Sequence, residues 1–200
     1  MFHFLEHFSE GVHADGWTAV PAFPPTAAAR PIERRQRVSR ALLAGLDSAS
    51  MHFEDFEVGD TYVSPARTVT EADVVNFAGL SGDYHALHMD ETYASTTPYG
   101  RRIAHGMLIV AMSSGLVSRL PVMRLLERTT IGLAGVECRF VKPTFIGDTV
   151  HVSVSIDSKT PGRKPGRGTL AMRRTVLNQQ GEPVVEGVWK LVVRTRSSSS

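Results

Sequence analysis

The chain has 200 residues and a formal net charge of +2 with its histidines neutral. This length suits one domain with a full core, or one domain plus a tail, and the small charge argues against a nucleic-acid-binding protein. The single cysteine, Cys138, excludes an internal disulfide and fits a reducing compartment, and its strand-like surroundings indicate a structural residue.

The first fifty residues differ from the rest of the chain. Residues 1–20 lack the basic start and long apolar run of a secretory signal, residues 21–31 are rich in proline and alanine, and residues 33–46 could form a short basic helix. We therefore predict a mostly disordered extension over 1–50, a domain over 51–196 and a flexible tail over 197–200. The longest apolar stretch, Ile103–Leu116, is shorter than the roughly 20 residues that span a bilayer. A cytoplasmic protein is expected.

The first half of the domain is predicted to be mainly helical. Val58–Val69 alternates loosely and contains Gly59 and Pro65, as an early strand would. Thr70 is a suitable N-cap for a helix over Glu71–Leu80. A long loop follows, with a helical turn over Asp90–Ser95. Ile103–Leu120 is apolar nearly all round, which predicts a fully buried helix.

The second half is predicted to form a sheet. Four segments rich in valine, threonine and isoleucine read as strands: Thr130–Val141, Thr149–Ser158, Gly168–Asn178 and Val184–Arg196. Gly147-Asp148 and the segment 178–182 are predicted hairpin turns, and the Pro/Gly-rich loop 160–168 is predicted to be mobile. One buried helix followed by four antiparallel strands indicates an α+β fold with the sheet wrapped around the helix.

Acid–base chemistry is indicated by Asp83 and His88. On a regular helix their side chains would diverge by about 140°, but Gly82 and the loop character of the segment allow both to reach one pocket. A carboxylate beside an imidazole fixes the ring tautomer and makes an acid–base pair near neutral pH. Gly106 lies near the start of the buried helix, where a free amide can polarise a thioester carbonyl. Ser114, two turns along, could add a hydroxyl.

Three segments of the chain carry a specific resemblance. Ser81-Gly82-Asp83-x-x-x-Leu87-His88-x-Asp90, together with the run from Thr97 to Met107 and the later run from Arg139 to Thr149, is similar to the MaoC-like, (R)-specific enoyl-CoA hydratase family. The resemblance covers about Phe53–Arg196. It implies a hotdog fold, in which a curved antiparallel sheet wraps a long central helix.

The resemblance also implies an activity, namely the reversible syn hydration of a trans-2-enoyl thioester to the (R)-3-hydroxyacyl thioester. Asp83 and His88 match the family's catalytic pair, and Gly106 matches the amide that holds the thioester oxygen. Substrate contacts are expected from Ser114, His105, Met107, Arg101 and Lys142. The expected substrate is an acyl-CoA or acyl-carrier-protein thioester, no cofactor is expected, and the chain should form a homodimer or a higher homo-oligomer.

Two positions depart from the family pattern. His85-Ala86 replaces a frequent Asn-Pro, and Arg102 replaces a frequent glycine, which raises the question of an altered pocket mouth. Basic residues that could meet a substrate phosphate are Arg101, Arg102, Lys142, Arg163, Lys164 and Arg167.

Other interpretations compete with hydration. Asp83 could merely cap a turn, and His105 near the helix start is more typical of a structural histidine. His85 and His88 with Asp83 and Asp90 suggest a metal site, but no further ligand cluster appears, so none is predicted. A hotdog thioesterase, or a non-catalytic subunit that binds acyl thioesters, remains an alternative function.

Overall fold

The computed structural model describes residues 49–196. Residues 1–48 and 197–200 lie outside it, and with them nearly all of the predicted extension, its basic helix and the serine tail. No helix within the described range is long and apolar enough to cross a membrane.

A six-stranded antiparallel sheet forms the larger layer. Its strand order is β1-β4-β5-β6-β3, and the short β2 also pairs with β4. The strands are β1 Thr61–Val63, β2 Arg67–Thr68, β3 Thr130–Phe140, β4 Thr149–Pro161, β5 Arg167–Leu177 and β6 Pro183–Arg194.

The helices precede most of the sheet in the chain. They are α1 Glu71–Ser81, α2 Ala86–Met89, α3 Glu91–Ser95, α4 Gly106–Ser118 and α5 Pro121–Leu126, with a 3₁₀ turn at Phe53–Asp55.

The core lies between the sheet and α4. Alternate residues of β4 (Val150, Val152, Val154 and Ile156) are at most 1% exposed, because side chains along a strand point to opposite faces and only one face meets the helix. From α4, Ile109 and its neighbours in the helix fill the space opposite them. The sheet wraps the long helix, which confirms the predicted α+β hotdog fold.

The central helix is shorter than predicted and only partly buried. It begins at Gly106 because Ile103 forms a β-bridge with Phe145 and the Ala104 N–H donates to the Thr144 carbonyl, which holds these residues extended. One side of α4 is exposed, with Met107 at 57%. The prediction of a fully buried helix over Ile103–Leu120 was therefore wrong in both respects.

Other boundaries differ for local reasons. The early strand is split into β1 and β2 at Pro65, which has no N–H for the ladder. Gly147-Asp148 is not a hairpin turn, because β3 pairs with β6 and not with β4. The turn at 178–182 does join the hairpin partners β5 and β6, as predicted.

Strand β3 lies at the edge of the sheet and keeps an uncovered apolar face. Leu133 and Val136 pair with Leu191 and Trp189, which face the core, and directly opposed residues share a face. Yet Leu133 is 54% and Val136 41% exposed, whereas Trp189 is 2% exposed. The helices of the described chain therefore leave Leu133 and Val136 of β3 uncovered.

Candidate active site

Asp83 is placed by the end of α1. Thr70 caps the start of this helix by accepting a hydrogen bond from the Asp73 N–H, as predicted. The helix ends at Gly82, whose φ of 77° is the left-handed conformation that glycine adopts without strain. The chain turns there, and Asp83 follows in a loop with its own N–H donating to the Ser81 hydroxyl.

His88 lies on α2, a short helix that the sequence did not reveal. Its Nδ1 is 2.8 Å from the Ile103 carbonyl oxygen. A carbonyl only accepts, so Nδ1 carries the proton and Nε2 presents a lone pair. Partial burial is the main cause that lowers the pKa of His88 below its ordinary 6.5. The hydrogen bond to the Ile103 carbonyl and the charge of Asp83 raise this pKa, whereas the imidazoles of His105 and His85 lower it further. His88 is therefore a neutral base at neutral pH.

Gly106 opens α4 beside this pair. The preceding residue, His105, is the N-cap but makes no side-chain capping bond, so the amides of the first turn have no cap from it. A Cβ placed on Gly106 would lie 2.6 Å from Cε1 of Phe140. Any side chain at this position would therefore collide with the Phe140 ring where it now lies.

A cavity of about 370 Å³ brings these groups together. Its lining consists of Asp83, His88, Tyr99, residues 103–107, Ile109, residues 140–144 and Val185. A larger cavity of about 600 Å³ lies between α1 and α4 around Phe77 and Met112, but it contains neither Asp83 nor His88. The smaller cavity, which contains both Asp83 and His88, is therefore the candidate active site.

A metal site is poorly supported by the same cluster. One ligand atom each from Asp83, His88 and His105 lie within 4.8 Å of one another. The rings of His88 and His105 are stacked, with 3.9 Å between centroids and 30° between planes, and each ring has one nitrogen on a backbone carbonyl oxygen. A nitrogen that donates to a carbonyl has no lone pair for a metal, so at most one nitrogen of each ring could serve as a ligand.

The other predicted substrate contacts divide into two groups. Met107, His105 and Lys142 line the cavity, and Lys142 also pairs with Glu182 at 2.7 Å. Arg101 stacks over the Phe145 ring, outside the lining, and Ser114 is exposed on α4 away from it. The structure thus does not bring Arg101 and Ser114 to the cavity within one chain.

Some lining residues were missed from the sequence. Phe140 and Thr144 belong to the end of β3 and the segment after it, and Tyr99 to the loop before α4. The run from Arg139 to Thr149 did signal the family, but only the pairing of β3 with β6 brings it opposite Asp83.

Known proteins resemble this chain over the same region. Residues 55–177 match the family model described as MaoC like domain. An (R)-specific enoyl-CoA hydratase from Rhodospirillum rubrum is 36% identical over 145 residues, which is 72% of this chain and 93% of that protein. Protein MaoC from Klebsiella aerogenes is 39% identical over 110 residues, which is 54% of this chain but only 31% of that protein. A solved structure of the MaoC-like dehydratase from Rhodospirillum rubrum superposes with a TM-score of 0.66 at 32% identity, covering 74% of this chain and 100% of that one.

These similarities define a class of enzyme, the hydratases and dehydratases built on the hotdog fold. This chain belongs to the MaoC-like family.

Proposed function

We propose that this protein catalyses the reversible hydration of a trans-2-enoyl thioester to the (R)-3-hydroxyacyl thioester. The CoA ester is the simplest substrate with which to test this reaction. The observation that carries the proposal is one cavity that holds the Asp83 carboxylate, the His88 imidazole with its Nε2 lone pair, and Gly106 at the start of α4. The relatives named as (R)-specific enoyl-CoA hydratases support the same reaction.

The chemistry follows from these three groups. Asp83 and His88 each accept a hydrogen bond from one water and hold it over the β-carbon. The thioester oxygen meets the Gly106 amide, which stabilises the negative charge that develops as the water oxygen bonds to the β-carbon. One of the pair takes the water proton and returns it to the α-carbon on the same face. The net change is addition of one water, and neither residue is altered.

The phosphate-bearing part of the substrate, from CoA or a carrier protein, is expected near the basic residues of the cavity. Lys142 and Tyr99 line the cavity, the Lys142 ammonium being paired with Glu182, and Arg101 lies outside the lining on the Phe145 ring. Phosphates favour such cations. This supports a CoA or carrier-protein thioester without deciding between them.

The exposed face of β3 supports a homodimer. A second copy pairing with this edge would extend the sheet and cover Leu133 and Val136, which a lone chain leaves in water. Because β3 runs on through Phe140 into the cavity wall, such a dimer would also cover one side of the candidate site.

The test uses crotonyl-CoA and the loss of its conjugated absorbance. Wild type should hydrate it to the (R)-3-hydroxy product, and Asp83→Asn should lose turnover by about 10²- to 10⁴-fold while still binding the ester. Asp90→Asn is the matched control, because Asp90 caps α3 outside the cavity and asparagine caps a helix equally well.

Three results would overturn the proposal. Unchanged absorbance with crotonyl, longer and branched enoyl-CoA esters that still bind would indicate a non-catalytic subunit. Release of free CoA without a hydroxyacyl product would indicate a thioesterase. An Asp83→Asn variant as active as wild type would remove the carboxylate from the mechanism.

A further inference from the structure

One buried histidine contacts both members of the acid–base pair. His105 is 2% exposed, and its Nε2 lies 2.9 Å from the backbone carbonyl oxygen of Asp83. Its ring stacks on His88 with 3.9 Å between centroids, and Phe77 packs against it at 5.0 Å. The residue directly before the start of α4 therefore fixes where Asp83 and His88 lie relative to Gly106.

The hydrogen bond from His105 is the contact that ties Asp83 to a distant part of the chain. Within the described residues, the other hydrogen bonds of Asp83 are local: the Asp83 N–H donates to the Ser81 hydroxyl, and the Asp83 carboxylate accepts from the His85 N–H, both at 3.2 Å. Neither ties the loop to another part of the fold. The contact from His105 is long-range, and it anchors the Asp83 backbone to the central helix.

The nitrogen that makes this bond is not available to a substrate. Because a carbonyl oxygen only accepts, Nε2 of His105 carries the proton and donates it to the Asp83 carbonyl oxygen in a hydrogen bond. Nδ1 is buried and has no hydrogen-bond partner in the described part of the chain. Both edges of the ring are thus turned into the protein, and its face is occupied by His88.

We propose that His105 is a positioning residue, which holds the Asp83 carbonyl and the His88 ring at the spacing that the acid–base pair needs. The inference rests on the proposed function and assigns to His105 a role different from the substrate contact expected from the sequence. A displacement of about 1 Å in either group is enough to cost on the order of 10²-fold in rate.

The surroundings of His88 give the proposal a measurable signature. The titratable groups around it are Asp83 and His85 from the same segment, His105 from the start of α4, and Lys142 on the opposite wall of the cavity. His105 is among the causes that lower the pKa of His88. Protonation removes the Nε2 lone pair, so kcat/KM should fall as the pH drops through a midpoint below 6.5.

Two substitutions separate the hydrogen bond from the stacked ring. His105→Gln keeps an N–H donor near the position of Nε2 but loses the ring, whereas His105→Phe keeps a ring but loses the donor. We expect His105→Phe to lower kcat for crotonyl-CoA by about tenfold or more with KM changed less than about twofold, and His105→Gln to retain more of kcat. Both should raise the midpoint of the acid limb toward 6.5, because the second imidazole is gone.

A readout independent of turnover accompanies the kinetics. The His88 imidazole is titrated by ¹H–¹⁵N NMR in wild type and both variants, with His151→Phe as the matched histidine control on β4, outside the cavity. A raised His88 midpoint in the His105 variants supports the proposal even if wild type hydrates no ester, in which case only the proposed function fails.

The opposite pattern would overturn it. Equal losses of kcat in both variants with the His88 titration unchanged would mean that His105 only stabilises the fold. If His105→Phe does not fold, the His88 titration in His105→Gln decides: an unchanged midpoint there refutes the positioning role.

Discussion

At the scale of single residues, the contact between Gly106 and Phe140 decides how much space the start of α4 allows. An added Cβ would lie 2.6 Å from the ring, so the ring must move. Phe140 is 54% exposed and can swing outward at little cost in stability. We expect Gly106→Ala to reduce kcat/KM by about tenfold or more, because the amide and the wall facing it separate, with little change in melting temperature. Steady-state kinetics and thermal unfolding check both parts.

A second substitution identifies the cause. Adding Phe140→Ala to Gly106→Ala removes the crowding, so part of the lost kcat/KM should return, and the coupling is read from the double-mutant cycle. Gly115→Ala is the control on the same helix, since a Cβ there meets nothing within 4 Å. Additive losses in the cycle would show that the ring is not the cause.

The position of the candidate site was predictable for the residues that have local signals, while their roles stay predictions. Asp83, His88 and Gly106 stand in motifs whose spacing points to acid–base chemistry, and the structure places all three on one cavity. Phe140 and the contact from His105 to the Asp83 carbonyl could not be predicted, because each joins segments far apart in the chain. Spacing within one motif carries no information about a backbone carbonyl in another.

At the scale of elements, Arg102 acts as a clamp between helices. Its guanidinium donates to Glu71 in the first turn of α1 at 2.8 Å, through two nitrogens, and to Glu91 in α3 at 3.0 Å. The hydrogen bond from Arg102 is the main cause that lowers the pKa of Glu71. Arg102 does not line the cavity, so this departure from the family pattern bears on helix packing and not on the pocket mouth.

Replacing this arginine tests the clamp. Arg102→Gly should lower the free energy of unfolding by about 1 kcal/mol or less, since both partners are more than half exposed and water screens the pairs. The difference should shrink at high salt, while KM for crotonyl-CoA stays constant. Denaturant unfolding at two salt concentrations measures the loss, with Arg128→Ala, at an exposed arginine outside the cavity, as the control. A salt-independent loss would contradict an electrostatic clamp.

The elements themselves were predictable to different degrees. The four long strands were found because valine, isoleucine and threonine recur along each one. Helix α2 was missed because four residues are too few to show a period. The pairing of β3 with β6 could not be predicted, since neither strand contains a signal for its partner.

At the scale of the whole molecule, the bare face of β3 predicts self-association. Val136→Glu puts a charge on the apolar face opposite Trp189, so a protein that is dimeric in solution should become monomeric. Size-exclusion chromatography with light scattering gives the mass directly. Val58→Glu is the control, because Val58 is 64% exposed and lies outside β3. A wild type that is monomeric at every concentration would contradict the proposed dimer.

The pairing of β3 with β6 also has a consequence for the order in which the molecule can be built. The wall of the cavity that includes Phe140 is fixed to the sheet through β6, which ends at Arg194, whereas Asp83 and His88 belong to segments synthesised much earlier. A nascent chain that has emerged only as far as β5 contains both Asp83 and His88 but leaves β3 without its partner strand. Closing so long a loop is slow compared with forming α1 or α4. The capacity to bind a thioester should therefore arise late in folding, as a single step, when β6 inserts between β5 and β3.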